Sequence, residues 1–247
     1  MALLVYDMHS HFYEFPSGDV ETILEGDKSL IIVAVSDDRY SLNETLELYA
    51  SYPDRIVPCA GFHPWSIRER SIIEAEDIAR MALRLGLRCI GEVGLDKKFL
   101  DPDTWRIQLE VFSLFIDVAR EIDAFMNIHA PGAWRDVLRL LVERDVRKAM
   151  FHWYTGPLDL IDVIGSYGYK VSINPAIRIQ AKHKEVARST GLEYMVFESD
   201  GPYNYRGLRL NPLMVRETIK YVADIKGVSM EEVLQHAMAN SERLIYG

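Results

Sequence analysis

Eight short apolar runs recur along the chain between longer amphipathic stretches, and this alternation constrains the fold more than any other feature. Continuous apolar runs are typical of parallel strands covered on both faces, because a half-exposed antiparallel strand would alternate polar and apolar residues. We therefore predict eight buried strands separated by helices. The predicted strands span residues 3–8, 30–36, 56–60, 88–93, 124–128, 148–151, 169–173 and 193–197.

The length of 247 residues fits eight strand–helix units closed into one barrel. No linker rich in Pro, Gly or Ser divides the chain, and the sequence shows no internal repeat. We expect one α/β domain over residues 1–247, a (β/α)8 TIM-type barrel. The alternative is a doubly wound open sheet, which usually has a glycine-rich turn after its first strand. This chain has Asp7-Met8-His9-Ser10-His11 at that place.

Several helix starts are marked by capping signals. A serine followed three residues later by glutamate has the spacing of a capping box, in which both side chains satisfy free backbone N–H groups. Asp101-Pro102 places a capping carboxylate before a proline that suits the first helical turn. The capping-box pairs are Ser41 with Glu44, Ser66 with Glu69, and Ser229 with Glu232.

Composition restricts the class of protein and its partners. Hydrophobic residues make up 49% of the chain, which excludes a disordered protein. A net charge of −9 without runs of like charge weighs against tight electrostatic binding of nucleic acid. Bound metal cations would nevertheless reverse the charge locally at an active site. The apolar run 2–6 is too short for a signal-peptide core or a membrane span.

The two cysteines, Cys59 and Cys89, both lie in apolar runs. We expect them to be buried hydrophobic residues in strands, with a disulfide or a metal site as the alternative. A reducing, cytoplasmic location is the corresponding expectation.

Residues with imidazole or carboxylate groups close five of the eight runs at their carboxyl ends. These ends meet at one rim of a barrel, where enzymes of this fold have their active sites. Side chains two residues apart on a strand point the same way, so His9 and His11 can reach one ion. The predicted metal-binding residues are His9, His11, Glu92, His129, His152 and Asp200.

Each of these residues also has a structural interpretation when it is taken singly. A carboxylate within an apolar strand is costly unless it is paired or bound to metal, and Glu92 could pair with Arg88 or Lys97. His129 and His152 could be satisfied core histidines, and Asp200 an N-cap. Convergence on one rim explains all five runs at once.

The same residues resemble the TatD-like metal-dependent deoxyribonucleases of the amidohydrolase superfamily. The resemblance runs from about residue 5 to the C-terminus, with the motifs in the family's order. It implies a single-chain barrel, divalent metals and cytoplasmic hydrolysis of phosphodiester bonds in DNA. The motifs are Asp7-Met8-His9-Ser10-His11-Phe12, Gly61-Phe62-His63-Pro64, Ile90-Gly91-Glu92-Val93-Gly94-Leu95-Asp96, Asn127-Ile128-His129, Phe151-His152-Trp153-Tyr154-Thr155-Gly156, Glu198-Ser199-Asp200-Gly201-Pro202-Tyr203, Arg206-Gly207 with Asn211-Pro212, and Asn240-Ser241-Glu242-Arg243-Leu244.

The resemblance also implies how the ligands are shared between two divalent cations. Imidazole with carboxylate suits Zn, Mn or Fe, and Mg is compatible when waters complete its shell. Glu92 and Asp200 are the predicted catalytic residues, with Asp200 accepting the proton of a water that the two metals activate. His9, His11 and Asp200 would hold one cation, His129 and His152 the other, and Glu92 would bridge them.

Three further residues are predicted to support the site. His63 closes another run and is expected to bind substrate or stiffen the site, rather than to bind metal. Arg206 is a predicted phosphate clamp through its forked donors, or else a solvated loop residue. Asp7 lies two residues before His9, so we expect it to accept a hydrogen bond from a ligand imidazole, or else to be a polar residue at a strand start.

Two departures from the family pattern leave the substrate open. No basic residue follows His129 in Ala130-Pro131-Gly132, and the residues after His152 are bulkier than is usual. The acidic balance and the missing basic residue after His129 favour a hydrolase of a small amide, lactone or phosphate ester, whereas the Arg206-Gly207 segment and the motif order favour a deoxyribonuclease without tight non-specific DNA binding. A third hypothesis is a barrel that binds metal or a partner without catalysis.

Overall fold

A computed structural model describes residues 3–67 and 71–247 of the chain. Within these residues, eight parallel strands follow one another in chain order and form a nearly closed barrel. The predicted (β/α)8 TIM-type barrel is confirmed, and the open doubly wound sheet is wrong, because that sheet would interrupt the sequential strand order. The strands are β1 (Val5–Ser10), β2 (Leu30–Ala34), β3 (Ile56–Ala60), β4 (Cys89–Gly94), β5 (Phe125–His129), β6 (Ala149–Phe151), β7 (Lys170–Ile173) and β8 (Met195–Phe197).

The helices between the strands each bury one face. In α4, Phe112, Phe115 and Ile116 are buried on one stripe, and the helix contacts β4 and β5. The described helices are α1 (Ser17–Gly26), α2 (Arg39–Ser51), α3 (Ser71–Leu85), α4 (Trp105–Glu121), α5 (Trp134–Glu143), α6 (Asp159–Ser166), α7 (Ala181–Ser189), α8 (Val215–Lys226) and α9 (Met230–Tyr246).

A hydrophobic cluster separate from the main core links the strands to the C-terminal helix. Leu244 and Ile245 of α9 belong to it together with strand residues such as Met8, Phe125 and Val196. The end of α9 lies at the amino ends of the strands, since Glu242 accepts a hydrogen bond from Tyr6. The helix therefore closes this end of the barrel and leaves the opposite mouth for polar groups.

A short hairpin, which sequence patterns did not predict, follows β8. Its strands are β9 (Asn204–Tyr205) and β10 (Leu208–Arg209), which pair antiparallel. The two residues between them, Arg206 and Gly207, both have positive φ, of 51° and 87°. Two successive positive φ values are what a tight two-residue hairpin turn requires, so the Arg206-Gly207 pair has a clear structural role.

The capping predictions have mixed outcomes. Ser229 accepts a hydrogen bond from the backbone N of Glu232 at 3.1 Å, which confirms that helix start. The prediction for Ser41 is wrong by three residues: Asp38 is the N-cap of α2, and Ser41 fills the other half of its capping box. Asp101 caps the turn that leads into α4. The Ser66 signal depends on residue 69, which lies outside the described residues.

The two cysteines form a disulfide bond, so their prediction as unpaired residues is wrong. Cys59 and Cys89 are direct partners in the register of β3 with β4, and their Cα atoms lie 4.5 Å apart. That separation is within the range a disulfide spans. Both residues are buried, as expected.

No helix among the described residues has the length and apolar character needed to cross a membrane. The cytoplasmic location stays a prediction.

The contact between β3 and β4 beside Glu92 leaves no room for a side chain at Gly61. A Cβ atom there would lie 2.3 Å from the backbone N of Glu92. We expect Gly61→Ala to lower the free energy of unfolding by about 1–3 kcal/mol, because the two backbones must move apart. Urea denaturation measures this as a lower midpoint.

Gly18→Ala is the matched control, because Gly18 lies in α1 and an added Cβ atom would meet no neighbouring heavy atom within 4 Å. This substitution is expected to raise stability by up to about 1 kcal/mol through helix propensity. Equal midpoints for the two variants would contradict the close approach of β3 and β4.

Candidate metal centre

The six predicted metal-binding residues meet at the mouth formed by the carboxyl ends of the strands. His9 and Glu92 lie within β1 and β4, and His129 is the last residue of β5. His152 directly follows β6, and Asp200 lies three residues beyond β8. All of these are buried, whereas His11, directly after β1, is partly exposed. These six residues belong to five different strands or to the segments that follow them, so closure of the barrel is what brings their side chains together.

The carboxylate of Glu92 lies between two sets of imidazoles. Its Oε2 atom is 3.3 Å from Nε2 of His9 and 3.4 Å from Nε2 of His11. Its Oε1 atom is 2.7 Å from Nδ1 of His129 and 3.2 Å from Nε2 of His63. Each oxygen therefore faces a different group of nitrogen donors, as a bridging carboxylate does.

The salt bridge considered for Glu92 is not formed. Lys97 pairs instead with Asp136, at 2.6 Å between Nζ and Oδ2. The guanidinium of Arg88 lies over the ring of Tyr246 at the other end of the barrel. Glu92 is thus a buried acid whose charge is met by imidazoles.

The distances between the donor atoms of the first set suit a tetrahedrally coordinated metal ion. Nε2 of His9 and Nε2 of His11 lie 3.4 Å apart, and each is 3.5 Å from Oδ1 of Asp200. With Oε2 of Glu92, these atoms resemble the corners of a tetrahedron. Bonds of about 2.0–2.1 Å, as in protein zinc sites, give edges of roughly 3.3–3.4 Å. The residues present therefore fit a divalent cation.

The second donor set includes a residue that sequence analysis assigned elsewhere. Nε2 of His63 is 3.2 Å from Nδ1 of His129, and both face Oε1 of Glu92. Nε2 of His152 lies farther away, 3.9 Å from the same oxygen. The structure brings His63 as close to this set as the predicted ligands, which the expectation of a substrate-binding or stiffening role did not anticipate.

Each of four imidazoles presents one nitrogen to the mouth and the other to an acceptor behind it. Such outer partners fix the tautomer and orientation of a ligand ring and raise its basicity. The pairs are His9 Nδ1 with Asn127 Oδ1 at 2.8 Å, His11 Nδ1 with Asp37 Oδ2 at 3.0 Å, His129 Nε2 with Asp96 Oδ2 at 3.0 Å, and His152 Nδ1 with Glu198 Oε1 at 3.0 Å.

Sequence analysis did not assign these four acceptors a role. Asp96, Asn127 and Glu198 stand within the motifs that carry the family resemblance. Asp37 directly follows the predicted second strand, 30–36, so its position at a strand end was a usable signal.

Asp7 does not have the predicted contact with an imidazole. Among the described residues, its hydrogen bonds come from the backbone N and Oγ of Ser199, at 2.7 and 2.6 Å, and from the backbone N of His9. It thereby ties β1 to the segment after β8. Asn127, rather than Asp7, stands behind the His9 ring.

The buried charges of this mouth are mutually balanced. Burial lowers the pKa of His9, but the carboxylates around it, Glu92 foremost and then Glu198 and Asp200, together outweigh burial and raise that pKa to about 9. Burial likewise opposes the charge of Glu92, and the surrounding imidazoles, with His63 and His9 foremost, hold its pKa well below the usual value. The protein balances its carboxylates with imidazolium charge, and a divalent cation that binds here displaces those protons.

A cleft of about 940 Å³ opens above the donor atoms. His63 and Arg206, the two predicted substrate-binding residues, both line it. Arg206 is exposed on the hairpin turn, with its guanidinium 5.3 Å from the centre of the Tyr205 ring. A substrate in this cleft therefore reaches the imidazole cluster and a cationic rim together.

Comparison with known proteins agrees with this arrangement. The sequence model of the family described as TatD related DNase matches residues 6–246. The chain belongs to this family. The family indicated by the sequence motifs is therefore confirmed.

Individual relatives match over nearly the full chain. An uncharacterized metal-dependent hydrolase of Methanocaldococcus jannaschii is 29% identical over 233 residues, covering 92% of this chain and 91% of the relative. The deoxyribonuclease TATDN3 of Homo sapiens is 26% identical and covers 92% of this chain and 88% of its own. The crystal structure of YjjV, a TatD homologue from Escherichia coli, superposes with a TM-score of 0.87 at 22% identity, covering 98% of both chains.

In this TatD-family chain, the metal content tests the bridging arrangement of Glu92. We expect about two divalent cations per chain and expect Glu92→Gln to bind fewer, because the shared carboxylate is lost. Elemental analysis after dialysis measures both. His236→Ala removes an exposed histidine of α9 outside the mouth and should leave the metal content unchanged. Unchanged content in Glu92→Gln would contradict the bridging role.

A buried histidine beside the site makes stability depend on pH. His183 accepts a hydrogen bond from the backbone N of Asn174, and its Nδ1 donates to the carbonyl of Tyr154. Burial lowers the pKa of His183 to about 4; the Tyr154 carbonyl and the Glu198 carboxylate oppose this, and the charge of His152 adds to it. The unfolded chain therefore takes up a proton at a higher pH than the native protein does.

The neutral form of His183 contributes stability that is complete above about pH 6.5 and is lost as the pH falls toward 4. The full difference is about 3 kcal/mol. We expect His183→Gln to show a smaller fall in unfolding free energy than the native chain over this interval, measured by urea denaturation. The exposed His236→Gln variant should retain the native slope.

Proposed function

We propose that the protein is a metal-dependent deoxyribonuclease that hydrolyses phosphodiester bonds with a water activated by two divalent cations. One observation carries the proposal. The two oxygens of Glu92 face separate sets of donors, with His9, His11 and Asp200 on one side and His63, His129 and His152 on the other. A pair of cations bridged in this way suits the clamping of a phosphate during displacement.

The donor set favours particular metals and a particular chemistry. Imidazoles with two carboxylates suit Zn, Mn or Fe better than Mg, which prefers oxygen ligands. Cations bound here would neutralise the phosphate oxygens and make water more acidic.

Asp200 is the residue we assign to proton transfer. Its carboxylate is buried at the mouth with Oδ1 near both His9 and His11, and its backbone has a positive φ of 57°. The backbone N of Asp200 donates to the carbonyl of His9, which fixes the unusual turn. The carboxylate is thereby aimed into the mouth, where it can accept a proton from an attacking water.

Two basic side chains in the cleft and the names of related proteins support DNA as the substrate. Lys98 and Arg206 line the cleft on opposite loops, and both are exposed for contact with phosphates. The TatD related DNase model spans the chain, and one relative is named a deoxyribonuclease. The net charge of −9 is consistent with binding DNA at this site rather than along a broad basic surface.

End-labelled single-stranded DNA, incubated with the metal-loaded protein, tests the proposal. We expect cleavage, and we expect Asp200→Asn to lower kcat by roughly 10²- to 10⁴-fold, because a general base is lost. His236→Ala is the control with native activity. Thermal unfolding of each variant confirms that it is folded.

Small substrates separate this proposal from the alternative activity on amides, lactones or phosphate monoesters. Turnover of such compounds without cleavage of any DNA would overturn the nuclease assignment. Metal binding without turnover of either class would favour a non-catalytic barrel.

A further inference from the structure

Five imidazoles of the described residues meet at the mouth, and the group behind each ring determines which of its nitrogens carries hydrogen. A neutral imidazole has one N–H, which donates, and one nitrogen with a lone pair, which accepts. A metal ion binds to the lone pair, so a metal-binding ring directs its N–H away from the ion toward an acceptor. The partner behind each ring therefore shows whether that ring can bind metal.

Four of the five rings have an acceptor behind them. Three face carboxylates, which accept hydrogen bonds and cannot donate them when ionised. The fourth, His9, faces the side-chain oxygen of Asn127, because Nδ2 of Asn127 donates to the carbonyl of Met8. All four rings direct an N–H outward and a lone pair into the mouth. They are His9, His11, His129 and His152.

His63 has a hydrogen-bond donor behind it instead. The backbone N of Trp65 donates to Nδ1 of His63 at 3.0 Å. His63 is the N-cap of the short turn Pro64–Ser66, and because proline has no N–H, the cap binds the next residue. Nδ1 of His63 therefore carries the lone pair, and Nε2 carries the hydrogen. The doubly protonated ring is excluded, because its Nδ1–H would face another N–H.

The hydrogen on Nε2 of His63 points into the mouth. This nitrogen lies 3.2 Å from Oε1 of Glu92, the oxygen that also faces His129 and His152. The backbone N of His63 donates to the carbonyl of Asp37 at 2.9 Å, so the residue is held at both its backbone and its ring. Distance alone places His63 in the second donor set, but its Nε2 has no lone pair for a cation.

The second cation site consequently has three protein donor atoms with lone pairs. They are Oε1 of Glu92, Nδ1 of His129 and Nε2 of His152. Catalytic metal sites commonly have three protein ligands and leave a further position open for water or substrate. A neutral imidazole N–H beside such a position can stabilise negative charge on an oxygen without losing its proton.

We propose that His63 is not a metal ligand and that its Nε2 donates a hydrogen bond to the oxygen that completes the second cation site. That oxygen belongs to water in the resting enzyme and to the phosphate during hydrolysis, so the role rests on the proposed phosphodiester hydrolysis. A fixed donor at this place lowers the barrier, because it meets negative charge that the transition state carries.

Two substitutions separate the roles of the two nitrogens of His63. In His63→Asn, Oδ1 can still accept from the backbone N of Trp65, as asparagine does at an N-cap, but no atom takes the place of Nε2. In His63→Gln, the longer amide brings an N–H toward the mouth and lacks the acceptor for the cap. His236→Asn, at an exposed position of α9, is the matched control.

Metal content and turnover of these variants are the first measurements. We expect His63→Asn to keep about two cations and to lower kcat on single-stranded DNA by roughly 10²- to 10³-fold, the effect of removing one donor to a charged oxygen. His63→Gln should also keep both cations and recover part of the lost kcat. Elemental analysis measures the cations, and thermal unfolding shows that each variant is folded.

The position of the hydrogen on His63 is measured without turnover. Long-range ¹H–¹⁵N correlation spectra of the zinc-loaded, ¹⁵N-labelled protein distinguish ring nitrogens that carry hydrogen from those that do not. The signals of His63 are the ones missing in His63→Asn. We expect hydrogen on Nε2 and none on Nδ1, the reverse of His9, His11 and His152.

The outcomes separate this inference from the function on which it rests. A lone pair on Nε2, or loss of one cation in His63→Asn, would make His63 a metal ligand and overturn the inference while leaving the nuclease assignment intact. Native kcat in His63→Asn would show a capping role alone and overturn it as well. Failure to cleave any DNA would overturn the nuclease assignment, whereas the spectra and the metal content would still decide whether His63 binds metal.

Discussion

The carboxylate of Glu92 is buried in the wall of the barrel, and the mouth of the protein is organised around the need to balance its charge. An isolated buried carboxylate is strongly unfavourable, so it requires positive or donating partners on every side. Imidazoles from β1, β5 and β6 and from the loop after β3 supply them. Only a closed parallel barrel brings the ends of these strands to one point, which links the fold directly to the site.

The acceptors behind the imidazoles extend this organisation to the rim. Asp96 holds His129 and also accepts from the indole of Trp65. Glu198 faces His152 and also lies within hydrogen-bonding distance of the backbone N of Trp153. A single buried carboxylate in each case positions a metal-binding ring and an aromatic residue of the cleft. Changes to either acid are therefore expected to disturb both the metal site and the substrate-binding surface.

Several predictions from sequence failed where they depended on local regularity or on pairing between strands. Asp7 was expected on the same side as His9 because alternate residues of a regular strand share a face. The pairing of β1 with β2 shifts register between Asp7 and Ser10, and the Asp7 carboxylate accepts hydrogen bonds from Ser199 instead. The bond between Cys59 and Cys89 depends on the register of β3 with β4, which neither run reveals by itself.

Sequence patterns were sufficient to establish the eight strands, the barrel and the residue types at the strand ends, because apolar continuity and position in a run are local properties. They also indicated the family, since the motifs keep their order along the chain. The folded structure was needed to show which nitrogen faces which oxygen, that His63 joins the donor set, and that Asn127 stands behind His9. These relations join residues that are far apart in the chain, and the closure of the barrel and the local shifts in register set their distances.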